Sequence, residues 1–434
     1  MKPPSTPTDK PSLDGALAEE LKQPVSASRR RGGGGSVGQS ILIPVLAVIT
    51  GLVIGAIFIA ATNQQVYAAF GQSVGAGFAM SWHVIAQAYS ALFAGSIGDP
   101  AAMIAAIGSG NGEQVARAFN PFLESLVAAT PYIFAGLGVA LGFQAGVFNI
   151  GAEGQIFVGA ITSTFVGYAI TGIPAYIHIP LALLAGALGG ALWGFVPGWL
   201  KATTGGHEVI NTIMMNYIAF RLSEWLLNGP MKRPGSFNPI SPEIQASAVL
   251  PRFFPPPTRF HLGFFIALLM AFVVYWLLYR TTWGMELRTA GTNPNAARYS
   301  GMKVNGLIIL AMSLSGALAG MAGANEVLGV NHNLAIAFSS GYGFDAIALA
   351  LLGNNNPVGV VLASLLFGAL RNGATRMQVA GGIPIDIITI LQATILAFIA
   401  VPALIRALYR LKPPKQPEGG ITVRSWGGNY HEEQ

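Results

Sequence analysis

From Ile41 to Ala61 the chain runs without a charged side chain, long enough for a helix to cross the roughly 30 Å hydrocarbon core of a bilayer. From Pro121 onward comparable apolar runs return at regular intervals, separated by short polar stretches. A segment in lipid must satisfy its backbone polar groups internally, which a helix does. Composition excludes a soluble alternative, because 52% of the 434 residues are hydrophobic and 10% are charged, against a usual charged share of about 25%. The sequence therefore predicts an all-α fold, a polytopic transmembrane helix bundle surrounded by membrane lipids.

Candidate spans are 41–61, 122–143, 150–172, 178–200, 208–228, 260–280, 304–323, 341–353, 358–372 and 385–409, which is about ten crossings. The runs at 341–353 and 358–372 fall short of the roughly 20 residues of a full span, so short or re-entrant helices are expected there. Residues 63–120 are mixed in character and are placed outside the membrane with a partly inserted helix, because the apolar run Tyr89–Gly98 is too short to span. Gly186, Gly190, Gly194 and Gly198 recur every fourth residue, and Gly316 and Gly320 repeat the spacing. Small residues at that interval let helix backbones approach closely.

Residues 1–38 are rich in Pro, Ser, Gly and charge and end in three arginines, Arg29–Arg31, and four glycines. This composition predicts a disordered cytoplasmic tail, followed by a transmembrane domain over 39–412 and a second cytoplasmic tail over 413–434. Lys201, the 280–303 loop, Arg406, Arg410, Lys412 and Lys415 fall on the side of Arg29–Arg31, as the positive-inside rule requires. Lys232, Arg233, Arg252 and Arg259 fall on the other side, in the Pro-rich external loop 229–259, and run against it. The net charge of +6 thus flanks apolar segments instead of forming one patch, and no nucleic-acid polymer is expected as a partner.

No enzyme constellation is visible. A Gly-x-x-x-x-Gly-Lys-Ser/Thr loop is absent from the sequence, so any ATP would have to be hydrolysed elsewhere. There is no cysteine, and His207–Glu208 lacks the second histidine of a zinc helix. No cofactor or metal is expected.

The polar residues inside the apolar runs are the informative ones, because such groups usually face protein or a water pathway. Asn149 and Glu153 are four apart at the start of a span, with Gln155 beside them, and Glu208, Thr212 and Asn216 form a second stripe. Glu326 precedes a polar loop, and Asp345 sits in Gly341-Tyr-Gly-Phe-Asp345. Asn149, Glu153, Gln155, Glu208, Asn216, Glu326 and Asp345 are thus candidates for lining a path or holding helix breaks; residue types alone do not separate the two roles. Arg221 and Glu224, three apart, are expected to pair near the outer face.

The polar, basic stretch Arg280–Lys303 contains a short helix signal of its own. Asn293 suits an N-cap and Pro294 the first helical position, Ala296, Ala297 and Arg298 favour helix, and Gly301 can supply a left-handed stop. About two turns of helix over 294–300 are predicted on the cytoplasmic side.

Four stretches together resemble an ABC-importer permease: Phe148–Gln155, Glu208–Tyr217, Asn293–Gly301 and Gly341–Gly353. The family includes branched-chain amino acid, ribose-type sugar and nucleoside permeases, and 146–155 is most similar to the nucleoside branch, whose binding proteins are basic membrane lipoproteins. His207 and the Asn354–Asn356 run look like local departures. The resemblance implies that Asn293, Pro294, Ala296, Ala297, Arg298, Tyr299 and Gly301 form a coupling helix that docks on an ATP-binding cassette ATPase subunit. It further implies a second, homologous permease subunit, an extracytoplasmic substrate-binding lipoprotein and a place in the prokaryotic inner membrane. Uptake of a nucleoside by alternating access is the expectation. A ribose-like sugar as solute is the first alternative, and an ion-coupled secondary transporter, suggested by the scattered acids, is the second.

Overall fold

The computed structural model describes residues 37–411; the tails expected at 1–38 and 413–434 lie outside the described residues, apart from Val37 and Gly38. The described residues are helical, with two isolated β-bridges and no named strand. The helices are α1 (Val37–Thr62), α2 (Gln64–Gln72), α3 (Val74–Ser96), α4 (Pro100–Ser109), α5 (Gly112–Gln144), α6 (Ala152–Ala169), α7 (Ala175–Thr204) and α8 (Glu208–Asn228). After a long, largely irregular segment with one 3-10 turn (Ala246–Ala248) come α9 (Gly263–Arg280), α10 (Thr282–Thr292), α11 (Pro294–Tyr299) and α12 (Val304–Glu326). A π-helical turn, Val327–Asn331, then leads to α13 (Tyr342–Leu352), α14 (Pro357–Gly381), α15 (Ile385–Ala400) and α16 (Pro402–Leu408).

The bundle is built round α5, in which every residue from Ala129 to Gly142 is buried. One apolar core joins α5 to α9, α12, α13 and α14, and a second joins α1 and α3 to α14 and α15. The two glycine ridges face each other. A Cβ on Gly190 of α7 would lie 2.1 Å from the Gly316 carbonyl of α12, and one on Gly159 of α6 would lie 2.3 Å from Gly320 Cα. Only hydrogen at these positions allows the three backbones to meet. On the outer surface Leu184, Leu188 and Leu192 of α7 and Leu269, Phe272 and Trp276 of α9 are exposed, as suits a multi-pass membrane protein.

Among the described residues six helices are long and apolar enough to cross a bilayer, and α3 with α4, bent by 41°, would make a seventh, so the expected helical bundle is present and six or seven of its ten expected crossings meet that measure. Two expectations are corrected. Residues 63–120 hold more than a partly inserted helix: α3 runs for 23 residues and packs on α14 and α1, with Ala88 and Leu92 buried. Ser81, His83 and Gln87 dilute its hydropathy, which hid all but its last turns. The run 358–372 is not a short element but the first part of α14, a helix of 25 residues. Polar residues in its second part bond the backbone of neighbouring helices. Asn372 Nδ2 donates to Gly95 O at 2.9 Å and Pro121 O at 2.8 Å, and Arg376 Nη1 donates to Ala94 O at 3.1 Å. The last expected span, 385–409, is broken at Val401 into α15 and α16.

Lys201, Arg280 and Lys303 mark one end of the bundle, where Asn305 Nδ2 bonds Ala202 O at 2.9 Å. At the opposite end the segment between α8 and α9 forms a cap. It pairs with the stretch after α12 through Ser241 N to Leu334 O and Leu250 N to Leu328 O, both 2.9 Å, and with α6 through Gln245 N to Gly167 O at 2.8 Å. Glu124 of α5 anchors it, taking Arg259 N at 2.9 Å and the guanidinium at 3.0 and 2.6 Å.

Candidate functional site

At the basic end, α11 is a helix of six residues whose N-cap, Asn293, accepts the N–H groups of Asn295 at 3.1 Å and Ala296 at 3.0 Å. Pro294 occupies the first turn and Gly301 follows with φ +81°. Ala297 is fully buried, whereas the Tyr299 ring is 94% exposed and Arg298 is turned outward, bonded to Asn295 Oδ1 at 3.2 Å. The helix therefore leaves Arg298 and Tyr299 on its exposed side and is held by Ala297. It rides on α10, which is locked to the end of α5: a Cβ on Gly291 would meet Gln144 O at 2.3 Å. Gln144 Nε2 in turn bonds Asn355 O at 3.0 Å, in the turn that joins α13 to α14. Asn354 and Asn355 are both left-handed there, at φ 53° and 52°, a conformation asparagine tolerates better than most residues.

The residues expected to line a path or hold helix breaks divide by role. Asn149 and Gln155 hold each other: Asn149 Nδ2 donates to Gln155 Oε1 and to Ser315 Oγ of α12, both at 2.8 Å. Asn149 Oδ1 also accepts Gly151 N–H at 3.0 Å, just before α6 begins. Asn216 of α8 clasps the same turn, accepting Gly154 N–H at 2.8 Å and donating to Ile150 O at 3.0 Å. All three are buried, and they fix the start of α6. Glu208 sits apart from them in an ion pair with Lys201 at 2.5 Å.

Glu153 serves α13 instead. With 11 residues, about 16 Å at 1.5 Å per residue, α13 is too short to span, and its N-terminus opens inside the bundle. The first N–H groups of a helix have no intrahelical acceptor and carry partial positive charge. Glu153, 2% exposed, supplies the acceptor, taking Gly343 N–H at 2.6 Å and Ser339 Oγ–H at 2.5 Å. A Cβ on Gly343 would lie 2.2 Å from Glu153 N, so glycine is required at this contact.

Asp345, in the first turn of α13, belongs to a different cluster. Its Oδ2 accepts Tyr132 Oη–H at 2.9 Å, and Tyr132 Oη accepts Arg371 Nη1–H at 2.5 Å. The Arg371 guanidinium stands 3.9 Å from the carboxylate and stacks 4.7 Å from the Tyr342 ring. The side chains of Arg371 and Asp345 are 28% and 42% exposed. The shortness of α13 explains the exposure. On α14 Val360, Ser364 and Phe367 are buried, but the same face is uncovered at Thr375 and Gln378. Above Asp345 a polar lane of Gln378, Thr375 and Arg371 is thus open. Glu326 stands nearby, within electrostatic reach of Arg259 and Arg371 and without a hydrogen-bond partner among the described residues. Arg371, Tyr132 and Tyr342 were not identified from the sequence. A charge inside a span is itself a signal of function, but Arg371 falls at the very end of the apolar run 358–372.

In the cap, His261 is 1% exposed and accepts Gly263 N–H at Nδ1, at 3.1 Å. Burial, with Arg252 and His332 adding to it, lowers its pKa to about 4. His332 Nε2 lies 2.7 Å from Arg252 Nη2, and burial, with that guanidinium adding to it, lowers its pKa as well.

The family model described as branched-chain amino acid transport system / permease component matches residues 122–401. The guanosine ABC transporter permease protein NupP of Bacillus subtilis is 40% identical over 372 residues, 84% of this chain and 94% of the relative. The nucleoside ABC transporter permease protein NupB of Lactococcus lactis subsp. cremoris is 30% identical over 378 residues, 85% and 93% of the two chains. The glucose ABC transporter permease protein TsgB13 of Haloferax volcanii is 36% identical over 285 residues, 64% and 75%. No solved structure matches.

Proposed function

The chain belongs to the branched-chain amino acid transport system / permease component family, and on that premise we propose that it is the membrane-spanning subunit of an ABC importer that takes up nucleosides. One observation carries the transport role: α13 stops halfway and leaves Asp345 and Arg371 partly exposed along a polar lane. Acyl chains do not solvate a carboxylate and a guanidinium, so this face borders a water-filled path, shared with a second, homologous permease subunit. The names of NupP and NupB favour a nucleoside as the solute; that of TsgB13 favours a sugar as the second reading.

The basic end is cytoplasmic in this reading, with both termini, in a prokaryotic inner membrane, and α11 is the handle that an ATPase subunit grips. The cations on the opposite side, which run against that orientation, are largely engaged: Arg259 with Glu124, Arg233 with Glu243 at 3.2 Å, and Arg252 with His332. The capped end would meet the substrate-binding lipoprotein. Crossings beyond the six long apolar helices would be made by α6, α8 and α15. For α6, burial from Gly151 to Ile161 removes the need for a fully apolar surface.

The test is ATP-driven uptake into vesicles that hold this chain with its partner subunits and binding protein. Guanosine uptake that a hundredfold excess of glucose leaves unchanged supports the reading. Glucose uptake without nucleoside uptake overturns the solute, and uptake that persists without the ATPase but collapses with a proton uncoupler overturns the mechanism.

A further inference from the structure

The Asp345–Tyr132–Arg371 cluster has more hydrogen-bonding capacity than the protein uses. Asp345 Oδ2 is engaged by Tyr132, while Oδ1 has no partner among the described residues. Arg371 donates from Nη1 to Tyr132, and its Nε and Nη2 groups have no hydrogen-bond acceptor among the described residues. Both side chains are partly open to the lane above them. Tyr132 holds the two in register by bonding both, and Tyr342 supports the guanidinium from behind. Fixed positions of this kind are what a recognition site needs.

We propose that Asp345 and Arg371 form a station in the path that reads the edge of a nucleobase, a proposal that rests on the nucleoside reading above. The carboxylate supplies acceptors and the guanidinium supplies donors, side by side with 3.9 Å between Asp345 Oδ2 and Arg371 Nη1. A solute that fits must present donors next to an acceptor on one flat edge. The Watson–Crick edge of guanine does so: N1–H and the N2 amino group face a carboxylate as a bidentate pair, and O6 falls beside the guanidinium. Adenine offers one donor and one acceptor there, and a free hexose has no planar edge. The station therefore favours guanosine over adenosine and over sugars. It is neutral as a pair, so it binds an uncharged solute without trapping it by net charge. Asp345 and Arg371 are specificity-determining residues in this scheme, and Tyr132 is a positioning residue.

The experiment compares competitors of guanosine uptake by the complete wild-type transporter, with the binding protein's own affinity for each competitor measured separately. 1-Methylguanosine blocks N1–H and leaves the ribose intact, whereas 2′-deoxyguanosine alters the ribose and leaves the base edge intact. After correction for capture by the binding protein, the station predicts that 1-methylguanosine is transported at least about tenfold less efficiently, since a hydrogen bond to a charged group is lost. 2′-Deoxyguanosine is transported like guanosine. Asp345→Asn, which keeps the size of the side chain and an oxygen for Tyr132, lowers guanosine transport and removes the discrimination against 1-methylguanosine. Equal transport of guanosine and 1-methylguanosine by the wild type, or unchanged discrimination in Asp345→Asn, overturns the station while leaving the nucleoside reading intact. Absence of any nucleoside uptake by the wild type defeats the nucleoside reading instead. Should Asp345→Asn fail to insert, Arg371→Lys takes its place: it keeps the charge but loses the planar fork that faces O6, so guanosine transport should fall while the discrimination against 1-methylguanosine, which Asp345 makes, is kept; unchanged guanosine transport overturns the station.

Discussion

The carboxylate of Glu153 accepts the backbone N–H of Gly343 at 2.6 Å, so that the start of α6 closes the open N-terminus of α13. Replacing Glu153 with Ala leaves the buried N–H of Gly343 and the half-buried hydroxyl of Ser339 without their acceptor. Each buried group left unsatisfied costs about 1–3 kcal/mol, and the loss should appear as a lower midpoint of thermal unfolding in detergent. Glu153→Gln retains an acceptor oxygen and should lose less. Equal midpoints for wild type and Glu153→Ala would show that α13 is held by its packing alone.

The meeting of Gly190 with Gly316 gives a second prediction. A methyl group on Gly190 would lie 2.1 Å from the Gly316 carbonyl oxygen, and that atom is backbone, not the free end of a side chain. The helices must part for Gly190→Ala to be accommodated, at a cost of about 1–3 kcal/mol for overpacking. Gly172→Ala is a poor control because of its φ of +78°, but Gly71→Ala, with nothing within 4 Å, should be nearly neutral. A thermal scan of the two variants side by side distinguishes these outcomes.

What the sequence made legible was local. Asn293, Pro294 and Gly301 define a helix by short-range bonds and φ preferences, and the structure has α11 at that position. The glycine period likewise showed a packing face on α7, though not that its partner is α12. What stayed hidden depends on contacts far apart in the chain. Arg371 looks like the end of an apolar run until Tyr132, 239 residues away, is seen to bond it. Glu153 and Asp345 are both acids set among apolar runs, yet one is sealed against a helix terminus and the other faces open space. Spacing along the chain carries no information on that difference. The length of α3 is hidden for a related reason: Ser81, His83 and Gln87 lower its hydropathy, while the face of Val84, Ala88 and Leu92 that it buries is fixed by packing on α14.

The cap between α8 and α9 should be sensitive to acid. His261 is buried and neutral, with its pKa lowered to about 4 by burial first and then by Arg252, His332 and Arg259. Unfolded, it titrates near about 6.5. As pH falls from about 6.5 towards 4, the unfolded cap takes up a proton that the folded one refuses, so stability drops across this window and levels off below it. Above about pH 6.5 the group has no effect. His332, whose pKa is lowered by burial and by Arg252, adds in the same direction. Amide exchange of the cap segment measured from pH 8 down to 5, corrected for the intrinsic pH dependence of exchange, should reveal earlier opening at the acidic end. In His261→Gln that dependence should be weaker; an unchanged profile would place the acid sensitivity elsewhere.

The proposed docking of α11 separates two kinds of variant that a simple loss of function would confuse. Tyr299 is 94% exposed and makes no contact on which the fold depends, so Tyr299→Ala should insert and unfold like the wild type. It should nevertheless release the ATPase subunit during purification in mild detergent. Asn293→Ala acts on the helix itself: it removes the acceptor for two N–H groups, at a typical cost of about 1 kcal/mol, and should weaken association less sharply. Gln144→Leu tests the next link, because Gln144 joins the end of α5 to the turn before α14. Here the ATPase should stay bound and hydrolyse ATP while uptake falls, since the contact surface of α11 is untouched. If Gln144→Leu instead loses the ATPase, as Tyr299→Ala is expected to, then Gln144 shapes the docking surface and does not carry movement from α11 towards α13.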